Sequence, residues 1–150
     1  MQLDSLFLRF EGRIPRKAFW IGMILLLVFG LVILALSATA TGERDYAVIR
    51  FNIFALEVAL LYPICAVGVK RLHDRGRPGY VVLAFLFPWM LHQVTNMIGI
   101  TGDLLALNAI DVTSFLVNLV LFFWFLFDLG IRRGEPGPNE YGPDPLDGKA

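Results

Sequence analysis

Apolar residues run almost unbroken through four stretches of the chain, 18–40, 51–69, 80–100 and 112–129, with short polar segments between them. Each approaches the roughly 20 apolar residues that a helix needs to cross a bilayer. The pattern predicts an all-α polytopic membrane protein with four transmembrane helices arranged as two helical hairpins. Cations precede the first stretch and Ala38-Thr39-Ala40 resembles a signal-peptidase site, but the apolar run from Phe19 to Leu36 is too long for a signal peptide's core of about 7 to 15 residues. It reads as an uncleaved first span. The third stretch turns polar after Leu91, with His92, Gln93, Thr95 and Asn96, and is the place where a span would end early or become irregular.

Composition agrees: 57% of the 150 residues are hydrophobic and 13 are Phe, which excludes an ordinary soluble catalytic domain. The net charge is zero, so the informative quantity is how the charges divide along the chain. Arg9, Arg13, Arg16 and Lys17 precede the first span, Lys70, Arg71, Arg75 and Arg77 lie between the second and third, and Arg132, Arg133 and Lys149 follow the fourth. Only Arg44 and Arg50 fall on the other side, so both termini and the Lys70–Gly79 loop are expected in the cytoplasm. Residues 1–17 read as a cytoplasmic amphipathic segment in which Pro15 helps start the first span, residues 18–133 as the four-helix transmembrane domain, and 134–150, rich in Pro and Gly, as a flexible cytoplasmic tail. The single Cys65 lies in an apolar stretch and forms no intramolecular disulfide.

Three motifs add to this pattern: Phe10-Glu11-Gly12-Arg13 with Arg16 and Phe19-Trp20; Arg71-Leu72-His73-Asp74 with Gly76 and Gly79; and Asn139-Glu140-Tyr141-Gly142-Pro143-Asp144-Pro145. In this order and spacing the chain resembles the domain-of-unknown-function family eight hundred and five, bacterial inner-membrane proteins of the YhaH type. The resemblance implies a small four-span inner-membrane protein and no established biochemical activity. Against the family pattern, Lys70 stands for an arginine, Pro78 for a serine and Tyr80 for a tryptophan.

Two constellations are candidates for function. At the cytoplasmic surface Arg13, Arg16, Lys70, Arg71, His73, Asp74, Arg75 and Arg77 form a basic cluster suited to anionic lipid headgroups, each cation being worth about 1 kcal/mol there. The structural alternative is a set of positive-inside charges paired with Asp74 and Glu11, with Gly76 and Gly79 turning the chain around Pro78. His73 and Asp74 invite an enzymatic reading at a lipid headgroup, but neighbours on a helix diverge and no Ser or Cys nucleophile accompanies them. Two separated histidines make no metal site, and no cofactor is expected. Within the membrane, Glu57, His92, Asn96 and Asn118 share one depth in the outer half. They suit either a small transporter or proton-coupled channel using Glu57 and His92, or interhelical hydrogen bonding by Gln93, Asn96 and Asn118 with Glu57 kept protonated by burial. Pro63 and Pro88 could kink spans two and three and open a cavity. Asp128, four residues before Arg132, is expected to cap the fourth helix. The reading chosen is a non-enzymatic membrane protein whose basic face binds anionic lipid or a partner protein, with homo-oligomerisation open. Nucleic acid is not an expected partner, because acidic residues interrupt the short cationic segments.

Overall fold

A computed structural model describes residues 3–40, 46–97, 100 and 108–147; side chains at 37–40, 46–51, 53, 96 and 97 lie outside the described set. The described residues are helical with no strand: α1 (Leu3–Leu8), α2 (Arg16–Ala40), α3 (Tyr46–His73), α4 (Val82–Met97) and α5 (Ala109–Phe125). A single 3-10 turn, Gly79–Val81, leads into α4, and a wide π-helical turn, Leu126–Ile131, ends α5.

The helices form for identifiable reasons. Pro15 stands immediately before α2 and its carbonyl accepts from Phe19 at 3.1 Å, so the proline gives up no bond the helix needs. At the start of α5, the Asn108 side chain accepts from the amides of Ile110 and Asp111 while Asp111 accepts from the Asn108 amide. This reciprocal cap satisfies donors that the first turn would otherwise leave unpaired. The segments Arg16–Leu36 and Ala109–Ile131 are long and apolar enough to cross a membrane, and Gly79–Thr95 is a shorter apolar helix.

Helix α3, Tyr46–His73, is longer than the apolar stretch 51–69. Helix α3 continues through His73, so Lys70, Arg71 and His73 stand on its last turn, not in a loop as the polar pattern suggested. Only 74–78 turn the chain, with Gly76 at φ +63°, where a side chain is strained.

Helices α2 and α3 form one hairpin and α4 and α5 the other, and the two meet along α3 against α4 and through the π-turn against α2 and α3. Close approach depends on small residues: a Cβ on Gly22 would come within 3.3 Å of Val67, and one on Gly68 within 3.2 Å of Val82. Burial is inverted relative to a soluble protein. Leu27, Phe87, Phe115, Val120 and Phe123 are exposed, while Arg71, Asp74 and Asp128 are buried. Apolar rings left outside and charges taken inside fit a chain whose surroundings are hydrocarbon. The compact core, Leu6, Phe19, Val67, Leu72, Phe125 and Leu129 among others, lies at the end where the basic motif sits.

Candidate functional site

The end of α5 determines what the basic motif does. A helix end leaves several carbonyls without partners and carries partial negative charge, which cations near the C-terminus offset. Here five consecutive carbonyls accept from side chains of other segments. Arg75 donates to Asp128 O at 2.6 Å, Arg71 to Leu129 O at 2.6 Å, Trp20 to Gly130 O at 3.1 Å, Arg16 to Ile131 O at 3.1 Å, and Arg71 again to Arg132 O at 2.5 Å. The π-turn widens the backbone so that these groups face the α2–α3 hairpin. Gly130 is required there, because a Cβ would stand 2.6 Å from the Trp20 ring.

Two buried aspartates complete the network. Asp74 pairs with Arg71 one turn back on the same segment and with Arg13 at 3.2 Å. Burial pushes the Asp74 carboxyl pKa up, while the guanidiniums of Arg71 and Arg13 pull it down. Burial likewise lowers the Arg71 pKa, with Asp74 opposing it. Asp128 lies among three guanidiniums, Arg75 at 3.0 Å and Arg77 and Arg132 at 3.1 Å. Within these ion pairs, five guanidiniums surround two carboxylates.

Lys70 does for α1 what the arginines do for α5. Its ammonium donates to the carbonyls of Ser5 and Leu6, both at 2.5 Å, and burial lowers its pKa to about 8. Arg13 extends the network to the C-terminal segment, donating to the carbonyls of Gly137 at 2.6 Å and Glu135 at 2.5 Å. That segment is folded back over the end of α3. Glu135 N donates to Asp74 O at 2.7 Å, Asn139 Nδ2 to His73 O at 3.0 Å, and the Tyr141 ring stacks flat on His73 with centroids 3.9 Å apart. A flexible tail was expected from its Pro and Gly content. Residues 134–147 depart from that because their turns present carbonyls to Arg13 and a ring to His73.

The eight candidates of the basic motif therefore sort into two groups. Arg13, Lys70, Arg71, Asp74 and Arg75 are turned inward, with donors or acceptors taken up by the protein itself. Arg16 and Arg77 remain at the surface, and His73 is half-buried with Nδ1 3.2 Å from Gly12 O. Burial lowers the His73 pKa; the Gly12 contact opposes this. No His73–Asp74 dyad forms: the ring faces Gly12 and Tyr141, the carboxylate faces Arg71 and Arg13.

The set Glu57, His92, Asn96 and Asn118 is only partly united. Glu57 accepts from Gln93, not from His92, whose Nδ1 is buried without a partner among the described residues. Asn118 donates within its own helix to Ser114 O at 2.8 Å, not across spans as expected. The Asn96 side chain lies outside the described residues. Glu57 and Asn118 both line a cleft of about 370 Å³ between the hairpins, walled by α3 residues beside Pro63 and α4 residues beside Pro88. No cluster of three metal-ligating side chains occurs among the described residues.

Sequence reasoning missed Asp128 as the centre of an arginine cluster, together with the roles of Trp20, Asn139 and Tyr141. The available signal was a carboxylate closing an apolar stretch that contains no other charge after Asp111.

Comparison with known proteins agrees with the membrane reading. The chain is 35% identical over 152 residues to the uncharacterized protein YiiR of Escherichia coli, covering 99% of this chain and 94% of that one. It is 25% identical to the inner membrane protein YhaI of the same organism, over 91% of this chain and 85% of that one. Identity to the inner membrane protein YhaH is 26%, over 91% and 86% of the two chains. No solved structure matches. The model of the family described as Protein of unknown function (DUF805) matches residues 7–143, and the chain belongs to that family of membrane proteins.

Proposed function

We propose that this is a four-span inner-membrane protein with both termini in the cytoplasm, and that it is a non-enzymatic module whose cytoplasmic face holds anionic lipid headgroups. The observation that carries the reading is the charge surplus around Asp128. One carboxylate there shares three guanidiniums, and the Arg77 and Arg132 side chains are 40% and 49% exposed. Each guanidinium has five donors in a planar fork, so a single contact to Asp128 leaves edges open to a phosphate. Arg16, Lys17 and Arg133 are exposed as well and extend the same basic rim. The headgroup ligands are thus narrowed from the whole basic motif to its outer members. The inward arginines hold the backbone that presents them.

Native mass spectrometry from mild detergent tests this, comparing wild type with the triple variant Arg77→Ala, Arg132→Ala, Arg133→Ala. Retention of phosphatidylglycerol by the wild type and its loss from a folded variant is the expected result. The same lipid complement on both proteins would refute the assignment.

A further inference from the structure

The cleft between the hairpins is separate from the basic face, and its lining is unusual. Of the residues around it, Glu57 and Asn118 alone carry polar side chains on a wall otherwise made of aliphatic and aromatic residues, including Phe85, Trp89 and Phe122, with the Trp89 indole the exception in having one polar N–H. Its volume of about 370 Å³ lies within the range of small-molecule sites, about 300–1,000 Å³. Gln93 donates to Oε2 of Glu57 and fixes the side chain from α4, and the other oxygen, Oε1, takes no part in that bond.

A carboxylate in such surroundings selects its ligand by charge. An anion would meet it with repulsion, and a neutral apolar molecule would gain nothing from it. A hydrophobic cation gains twice, from the carboxylate and from the ring faces, because aromatic quadrupoles attract cations. A quaternary centre, which has no N–H, also needs no acceptor beyond those present. We infer that the cleft between the α2–α3 and α4–α5 hairpins is a binding site for a hydrophobic organic cation, with Glu57 as its counter-ion and Phe85, Trp89 and Phe122 as its aromatic walls. The site is independent of the headgroup-binding reading, because it shares no residue with the basic rim.

Equilibrium dialysis of the purified full chain against benzyltriethylammonium tests the inference, with wild type, Glu57→Gln and Leu86→Trp compared after each is shown to be monodisperse and helical. Glu57→Gln keeps the size and the hydrogen bond to Gln93 while removing the charge, and Leu86→Trp fills the cleft from α4. Binding by the wild type, weakened about tenfold or more in Glu57→Gln and abolished in Leu86→Trp, is the expected result. Absence of wild-type binding, or equal affinity in Glu57→Gln, overturns it, the latter by showing that apolar surface alone retains the probe. Should Glu57→Gln not fold, unchanged binding in Leu86→Trp overturns it equally.

Discussion

Arg71 concentrates the physics of the site in one side chain. It is fully buried, and its fork reaches the Asp74 carboxylate and the carbonyls of Leu129 and Arg132 together. A lysine ammonium at the same position is a point donor and cannot span those partners. Arg71→Ala leaves Asp74 buried with Arg13 alone, and removing one member of a buried ion pair costs about 3–5 kcal/mol. Thermal unfolding in detergent is expected to show a large loss for Arg71→Ala and a smaller one for Arg71→Lys; an unchanged melting temperature in both would contradict the internal role. Gly134 tests the neighbouring packing. A Cβ there would overlap the Asp74 carboxylate and stand 3.0 Å from its backbone oxygen, so Gly134→Ala is expected to destabilise by about 1–3 kcal/mol in the same assay.

At the scale of elements, the hydrophobic pattern located the helices well and located their ends poorly. The four apolar stretches correspond to α2 to α5, because lipid-facing residues must be apolar whatever they touch. The extension of α3 through His73 was not legible, since a charged helical turn looks like a loop until its partners are known. Partners were the missing information throughout. Every helix ends in carbonyls, and no sequence pattern states that those of 128–132 meet Arg71, Arg75, Arg16 and Trp20. For the same reason the Pro- and Gly-rich C-terminal segment read as solvent-exposed chain, although Arg13 and His73 hold it.

That segment carries a pH dependence whose sign follows from His73. Burial depresses its pKa, so the folded state favours neutral imidazole and the unfolded state binds the proton first as pH falls. The contribution is therefore fully present above the unfolded value of about 6.5 and is lost as pH drops through and below it. Hydrogen exchange at the amides of Asn139, Tyr141 and Gly142, corrected for intrinsic rates, should accelerate below about pH 6.5 relative to neutral pH. His73→Phe, which keeps a ring against Tyr141 without a titrating group, should remove the acceleration. Persistence of the same profile in that variant would assign it to another group.

On the scale of the whole molecule, the fold places its charged, well-packed core at one end of two hairpins and leaves a cleft between them. The orientation follows if that end is cytoplasmic. In a Cys65→Ser background, Leu146→Cys at an exposed position should react with a membrane-impermeant maleimide in inverted vesicles and stay unlabelled in intact spheroplasts. The reverse labelling would overturn the topology.

The division of the basic motif into an internal clamp and an outer rim is the central claim. Melting temperature in nanodiscs of phosphatidylglycerol against phosphatidylcholine tests it most directly, because a ligand stabilises only what binds it. Wild type should melt higher in the anionic lipid. The Arg77, Arg132, Arg133 triple alanine variant should lose that difference while keeping its stability in phosphatidylcholine, whereas Arg71→Ala should fall in both lipids and keep the difference. Loss of the lipid-dependent difference in Arg71→Ala, with none in the triple variant, would contradict the account.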